Sequence, residues 1–515
     1  MLRVSVTISL LANLLTSSHG WTDTTKRSFP PGFLFGVATS AYQVEGGWNA
    51  DGKSESIWDR FVHEDPKRIA GDHNGDDASD SYHQWKRDVE MLRELGVDHY
   101  RFSISWTRVL PTGFNNMINE KGFQYYDNLI DELLKYEIQP MITLFHFDLP
   151  QSLQDLGGWV NPLSTQWFED YARVIFQRYS SKVKFWITVN QPTDICLDGY
   201  GGDGMAPGLN LKGYGDYMCV KNVLLAHARA YRLYEKEFKE KYGGSVGLSV
   251  ALNWYDPINN ATENQDAAER AREFHIGLYL NPIWSKDGDF PTIVKDIVAK
   301  KSKDTGHAAS RLPQFSSEEI ELLKGSSDFL GMNHYTTFLV EPSTEEVPAP
   351  SFEDDMGVKH FQGPEWKQAK SGWLRSAPYG IYKSLIYLNQ KYDYPPIIIT
   401  ENGWSTNPGL RDGSRVNNIR GYLGALLLAM EDGADVKGYT VWSLMDNVEW
   451  SAGTEERFGL YEVDFDSKNK TRKARVSALV YKHIIDARVV DDEWKPKSLK
   501  ITITEKKNKN MKGEL

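Results

Sequence analysis

The chain has 515 residues, of which 40% are hydrophobic, and it contains 16 Trp, 26 Tyr and 22 Phe. This content is ample for a large core and excludes an intrinsically disordered chain. The formal net charge of −11 disfavours nucleic acids and anionic membrane surfaces as partners, because both are negatively charged.

Residues 1–20 are typical of a signal peptide. Arg3 gives a charged start, residues 4–15 form a short apolar run, and residues 16–20 are small and polar. The apolar run is too short to span a membrane, and no later stretch is long and apolar enough. We therefore expect a soluble protein of the secretory pathway, secreted or held in the lumen of the endoplasmic reticulum.

In an oxidising compartment of the secretory pathway, glycosylation and disulfide formation both become possible. Asn260 and Asn469 each begin an Asn-X-Thr sequon, so both are candidate glycosylation sites. Cys196 and Cys219 are the only two cysteines. They form either a disulfide or two buried free thiols, and the sequence leaves both alternatives open.

Eight short apolar segments, each separated from the next by a longer amphipathic stretch, indicate alternating strands and helices. In chain order the segments are 33–40, 100–106, 141–145, 185–189, 246–251, 328–333, 397–400 and 436–443. Among the amphipathic stretches, Trp85, Val89 and Leu92 recur at helical spacing, and residues 125–136 follow a similar pattern. Eight strand-helix repeats predict the α/β class and a single (β/α)8 TIM barrel.

The predicted barrel is one domain. No linker rich in Pro, Gly or Ser interrupts the series, so we expect the domain to cover residues 21–505, followed by a basic polar tail at 506–515. Two long polar segments, 199–217 and 341–372, follow strand ends, where barrels build their sites. The chain closes on a segment that resembles a retrieval signal, although a solvated tail explains it equally well: Lys512, Gly513, Glu514 and Leu515.

Polar and aromatic side chains cluster just after the predicted strands, where barrel enzymes carry their chemistry. They are Gln43, Arg101, His146, Asn190, Gln191, Asn333, Tyr335, Glu401, Trp442, Glu449 and Trp450. Any one of them alone is explained as an ordinary loop residue. Glu401 directly follows an apolar run, and a buried Glu costs free energy unless it is paired or functional. Arg101 is a candidate partner that keeps Glu401 ionised and nucleophilic.

Four of these segments together resemble glycoside hydrolase family 1, the β-glucosidase family, over nearly the whole mature length. They are residues 33–46 (FLFGVATSAYQVEG), 146–150 (HFDLP), 399–403 (ITENG) and 442–450 (WSLMDNVEW), in the order in which the family carries them. One such motif would be weak evidence, but four in order are specific. The sequence as a whole is similar to those of the insect members of the family.

The resemblance implies a role for each of these residues. Glu401 attacks the anomeric carbon as the nucleophile, and Tyr335 donates a hydrogen bond to it. The residues that hold the sugar ring are Gln43, His146, Asn190, Asn333, Trp442, Glu449 and Trp450. Amides and carboxylates suit vicinal hydroxyls, and flat rings cover the apolar face of a pyranose. For His146 alone, a purely structural role is the alternative.

The fourth predicted strand departs from the family pattern. Family members end it in Asn-Glu-Pro, where the Glu is the general acid and base, but this chain has Asn190-Gln191-Pro192. A retaining glycosidase needs two carboxyl groups about 5 Å apart. Gln191 has the shape of Glu without its acidic proton. The family's plant thioglucosidases, the myrosinases, also carry Gln here, and their aglycone leaves as a thiolate that needs no proton.

The resemblance therefore predicts a retaining β-thioglucosidase that hydrolyses glucosinolates. The alternatives are a β-glucosidase for O-glucosides that recruits another acid, and a catalytically impaired sugar-binding protein. We expect a small-molecule β-glucoside or glucosinolate as partner, no metal and no required cofactor. Ascorbate or another small acid is a candidate external base. One observation counts against a sulfated substrate, because residues 191–207 contain no Lys or Arg and Phe338 follows the sixth strand's polar end.

Overall fold

The computed structural model describes residues 27–345 and 349–503. The expected signal peptide and the polar tail with its retrieval-like end lie outside the described residues. Both therefore stay predictions.

The predicted barrel is confirmed. Eight parallel strands close on themselves in chain order, and the first strand pairs with the last. The barrel strands are Leu34–Ala38, His99–Ser103, Gln139–Phe145, Phe185–Asn190, Ser245–Ala251, Phe329–Asn333, Ile397–Gly403 and Val436–Trp442. Each lies within three residues of a predicted segment, because strands covered on both faces leave continuous apolar runs in the sequence.

Helices surround the barrel. Those of seven residues or more are Ile57–Glu64, Ser81–Leu95, Glu120–Lys135, Ser164–Tyr179, Gly215–Tyr234, Thr262–Arg272, Leu278–Trp284, Thr292–Asp304, Ser317–Leu323, Tyr379–Tyr392, Gly413–Glu431 and Val476–Ala487. A π-helical segment, Ile195–Gly201, links the fourth strand region to the long helix Gly215–Tyr234.

Two small sheets lie outside the barrel and were not predicted. Trp254–Pro257, Thr337–Pro342 and Val358–Phe361 form one, and Tyr461–Val463 pairs with Arg472–Ala474 in the other. Most of these strands have three or four residues, too few to give a periodic signal. Part of the polar segment 341–372 is therefore ordered as a sheet.

The core has an inner and an outer layer. Met141, Ile187, Phe329 and Ile398 from four different strands pack together as one buried cluster. Side chains on the other face of each strand, such as Ile397, belong to a much larger cluster that includes the apolar faces of the helices. This double burial holds the strand ends in fixed positions, which a site built on them requires.

Three surface and covalent features complete the fold. Cys196 and Cys219 form a disulfide with their Cα atoms 5.4 Å apart, which joins the π-helical segment to the helix Gly215–Tyr234. Asn260 and Asn469 are exposed, as a glycan would require. Within residues 27–345 and 349–503, no helix is both long and apolar enough to cross a membrane.

Candidate active site

The candidate site lies at the carboxyl-terminal edge of the barrel strands. Ala38 at the end of the first strand pairs with Arg101 of the second, and Asn333 of the sixth pairs with Glu401 of the seventh. Parallel strands present these ends at one face, so residues distant in sequence become neighbours. Arg101, Asn190, Asn333 and Glu401 are all almost fully buried there.

An irregularity in the seventh strand turns Glu401 into the site. Ile398 points into the barrel and Ile399 toward the helices, so regular alternation would also point Glu401 toward the helices. The register shifts between Ile399 and Glu401 relative to the sixth strand, and again relative to the eighth. Such bulges re-aim side chains next to active sites. Glu401 therefore faces the residues of the neighbouring strand ends.

The Glu401 carboxylate is held by two partners. Arg101 Nη1 donates to Oε1 at 2.6 Å, and the Tyr335 hydroxyl donates to Oε2 at 2.8 Å. Burial raises the pKa of Glu401 above its ordinary value, and the guanidinium and phenol offset part of that rise. The expected partnership with Arg101 and Tyr335 is thus present, with burial as the largest single influence on the carboxyl.

Arg101 fixes the orientation of three amides in turn. A guanidinium only donates, so the Asn190 Oδ1 that lies 2.6 Å from Nη2 is an acceptor. Asn333 Nδ2 also donates to that oxygen, at 2.9 Å, and to Gln191 Oε1 at 3.0 Å. The oxygen of Gln191 therefore faces Asn333, and its NH2 group faces the opposite way.

The NH2 group of Gln191 donates to Asp194 Oδ2, one helical turn further along. Gln191 has φ of +40°, an uncommon value for a residue with a side chain, and it immediately precedes the short helix Pro192–Asp194. Burial raises the pKa of Asp194 well above its ordinary value, with Asp198 and Glu401 adding to the rise. Sequence analysis missed Asp194, because nothing in the pattern relates it to Gln191.

Gln43 and Glu449 lie together beside the nucleophile. Gln43 Nε2 donates to the Val448 carbonyl at 3.0 Å and to Glu449 Oε2 at 3.4 Å. Burial raises the pKa of Glu449 to about 8, and the nearby charge of Glu456 adds to the rise. Glu449 therefore favours the protonated form at neutral pH, in which it can both donate and accept hydrogen bonds.

Three rings form one wall of the site. The His146 ring stacks on Trp442 with centroids 5.6 Å apart and on Trp450 at 6.0 Å, both with planes within 18° of parallel. Burial lowers the pKa of His146 well below its ordinary value, and the charge of Arg101 lowers it further, so the ring is neutral. Its Nε2 faces the Asn190 NH2 group at 3.2 Å, which leaves the ring proton on Nδ1.

The side chains in the outer part of the site are aromatic or acidic, which does not favour a sulfated ligand. Trp373, which sequence analysis also missed, is 46% exposed and packs edge-on against Tyr335 at 5.6 Å. Asp198 is exposed at its residue surface, but desolvation by the surrounding protein raises its pKa to about 6, and the charge of Glu353 adds to the rise. In the described part of the chain, the charged and titratable side chains that interact electrostatically with Asp194 are acidic or phenolic, and no Lys or Arg is among them.

The sequence-predicted site residues fall into one connected group. Arg101, Asn190, Gln191, Asn333, Tyr335 and Glu401 share a hydrogen-bond network. His146 joins it through Asn190, whereas Gln43 and Glu449 form a second pair and Trp442 and Trp450 stack on His146. Their assigned roles remain predictions, but the geometry brings all of them to one face of the barrel.

Comparisons with known proteins agree with this architecture. The model of glycosyl hydrolase family 1 matches residues 25–489. Myrosinase 1 of Brevicoryne brassicae is 44% identical over 460 residues, which cover 89% of this chain and 98% of that protein. The cytosolic β-glucosidase of Homo sapiens is 39% identical over 462 residues, with coverage of 89% and 98%.

Solved structures of similar proteins also superimpose on most of this chain. An aphid myrosinase superimposes with a TM-score of 0.86 at 44% identity, covering 89% of this chain and 99% of that one. A glutamate-to-glutamine mutant of a rice β-glucosidase, in covalent complex with Glc, superimposes with a TM-score of 0.83 at 36% identity, covering 88% and 99%.

Proposed function

Because the chain belongs to glycosyl hydrolase family 1, we propose that it is a retaining β-thioglucosidase that hydrolyses glucosinolates to glucose and an unstable aglycone. Glu401 acts as the nucleophile in this proposal. Gln191 stands where the family has its acid and base.

The observation that carries the proposal is the amide of Gln191. It lies in the hydrogen-bond network of the nucleophile, with its oxygen bound by Asn333 and its NH2 group by Asp194. An amide has no proton to give to a leaving group at neutral pH. Because general acid catalysis contributes about 10² to 10⁴ in rate, substrates that need it are at a disadvantage here.

The first chemical step follows from this arrangement. Glu401 attacks the anomeric carbon, the bond from that carbon to sulfur breaks, and the electron pair leaves with sulfur as a stable thiolate. No proton is needed. Asn190, Gln43 and Glu449 hold the sugar hydroxyls, and Trp442 and Trp450 cover the ring.

The second step returns the enzyme to its starting state. Water attacks the anomeric carbon, and the bond to the Glu401 oxygen breaks. The water must lose a proton, which either a small acid such as ascorbate or a carboxylate of the protein can accept. The covalent complex of the rice mutant with Glc supports the idea that a family member with one Glu replaced by Gln can hold a glucosyl group.

A β-glucosidase for uncharged O-glucosides is the second candidate function. It is favoured by the acidic side chains Asp194, Asp198 and Glu353, which would repel a sulfate. The relatives include both kinds of enzyme, because a myrosinase and a β-glucosidase each align with 89% of this chain.

The test is a substrate panel on the purified protein. We expect kcat/KM for a glucosinolate to exceed that for an alkyl β-glucoside by about 10² or more, because only the alkoxide needs an acid. A desulfated glucosinolate is the matched control for the acidic side chains, and each assay is run with and without ascorbate. Brisk hydrolysis of the alkyl glucoside supports the second candidate instead, and inertness toward every glycoside contradicts both.

A further inference from the structure

We infer that Asp194 is the general base of the second step, accepting the proton of the water that hydrolyses the glucosyl-enzyme. This inference rests on the retaining mechanism proposed above, but not on the identity of the aglycone. It assigns to the protein itself the role that an external small acid would otherwise fill.

The position of Asp194 carries the inference. Its carboxylate accepts a hydrogen bond from Gln191, the residue at the place of the family's acid and base. The residue is partly exposed, and within residues 27–345 and 349–503 no Lys or Arg is among the groups that shift its pKa. A carboxylate without a cationic partner, beside the reacting centre and open to a water molecule, is a suitable proton acceptor.

The orientation of the Gln191 amide completes the geometry. Its NH2 group has two protons, and Asp194 is the single partner that the described part of the chain gives to that nitrogen. The second N–H can donate to the oxygen of a water molecule, while a proton of the same water faces the Asp194 carboxylate. Gln191 then positions the water, and Asp194 removes its proton.

The charge of Glu401 adjusts the basicity of Asp194 during the cycle. In the free enzyme the Glu401 carboxylate raises the pKa of Asp194, in addition to burial and Asp198. When Glu401 becomes a neutral ester in the glucosyl-enzyme, that contribution disappears and the pKa of Asp194 falls. Burial and Asp198 continue to raise that pKa, so the loss of the Glu401 charge makes ionisation of Asp194 easier at the stage that needs a base.

The step balances. The water oxygen forms a bond to the anomeric carbon, and the bond from that carbon to the Glu401 oxygen breaks with its electron pair returning to Glu401. One water proton moves to Asp194. Asp194 keeps this proton in the free enzyme and releases it to solvent when Glu401 next becomes an ester, so that each turnover releases one proton in total.

The experiment uses Asp194→Asn and a dinitrophenyl β-glucoside, whose phenolate departs without an acid. Asn keeps an oxygen that can accept from Gln191 but cannot take up a proton, so positioning is retained and basicity is lost. We expect a full pre-steady-state burst of dinitrophenol followed by a kcat about 10² to 10³ lower than in the wild type. Sodium azide should restore turnover and yield β-glucosyl azide, because the azide anion attacks without losing a proton.

Asp198→Asn is the matched control, since it removes a neighbouring acidic group that makes no hydrogen bond to Gln191. It should lower kcat by less than about tenfold, below the range of a general base. An Asp194→Asn enzyme with wild-type kcat, or one that azide does not rescue, overturns the inference. Asp194→Ala is the second variant, and loss of the burst in both also overturns it, because attack by Glu401 does not need Asp194. Failure on glucosinolates alone would contradict the proposed function and leave this result standing.

Discussion

Glu401 is buried and Glu449 is partly buried, and the two carboxyl groups differ in the hydrogen-bond donors that stabilise their charge. Arg101 and Tyr335 both donate to Glu401, so the cost of burying its charge is partly offset. Glu449 has a weaker set of donors, from Gln43 and Trp442, and it faces the negative charges of Glu456 and Glu401. The two carboxyls therefore differ in how far neighbouring donors offset the rise in pKa that desolvation causes.

Protonation of Glu449 predicts a pH-dependent contribution to stability. Its pKa is about 8 in the folded protein, above the ordinary value of about 4.3 that applies to the unfolded chain. The folded state thus holds the proton more tightly, so the contribution is fully present below about pH 4.3 and is lost as pH rises through about 8. In Glu449→Gln this contribution cannot titrate.

Thermal unfolding at pH 5 and pH 8.5 measures this effect. We expect Tm of the wild type, relative to that of Glu449→Gln, to fall between the two pH values. Other groups titrate in both proteins, so their effects cancel in the difference. A difference in Tm that is the same at both pH values would show that Glu449 is already ionised in the folded protein at pH 5.

At the scale of single elements, the sequence predicted the strands better than their irregularities. Segments such as 397–400 are recognisable because both faces of the strand are buried. The register shifts next to Asn190 and Glu401 are not recognisable, because a bulge depends on pairing with the neighbouring strand. The sequence therefore placed Glu401 at a strand end but not on the face that it occupies.

The contact between Gln191 and Asp194 could not be predicted from the sequence, because it too depends on neighbouring elements. Both residues are visible in the sequence three positions apart, but a contact requires the left-handed backbone at Gln191 and the amide orientation set by Arg101. The short strands of the outer sheets were missed because too few residues carry their pattern. In each case the feature depends on contacts with distant parts of the chain, which the sequence alone does not show.

The disulfide should stabilise the segment that begins directly after Asp194. Cys196 and Cys219 are separated by 23 positions, and closing a loop of that length is worth about 3 kcal/mol in the chain-entropy account. We expect the double variant Cys196→Ser, Cys219→Ser to lose about that much free energy of unfolding in urea. Reductant should destabilise the wild type and leave the variant unchanged. Equal stability of both proteins without reductant would mean that the bond does not form.

At the scale of the whole molecule, the barrel provides a fixed framework, and the candidate site carries the departure from the family pattern. The inner cluster and the surrounding helices fix the strand ends, and the chain matches the family model over residues 25–489. In the proposed function, Gln191 and the acidic residues Asp194 and Asp198 lie on the side from which the aglycone would leave. The proposed function thus combines a sugar site of the family type with an unusual setting for the leaving group.

Gln191→Glu tests that account most directly, because it introduces the family's acid where this chain departs from it. The measurement is the ratio of kcat/KM for an alkyl β-glucoside to kcat/KM for a glucosinolate, in the wild type and the variant. We expect the variant to raise this ratio by about 10² or more, since an alkoxide gains a proton donor and a thiolate gains little. A ratio that stays the same, or a wild type that already hydrolyses alkyl glucosides briskly, would contradict the claim that Gln191 adapts the site to leaving groups that need no proton.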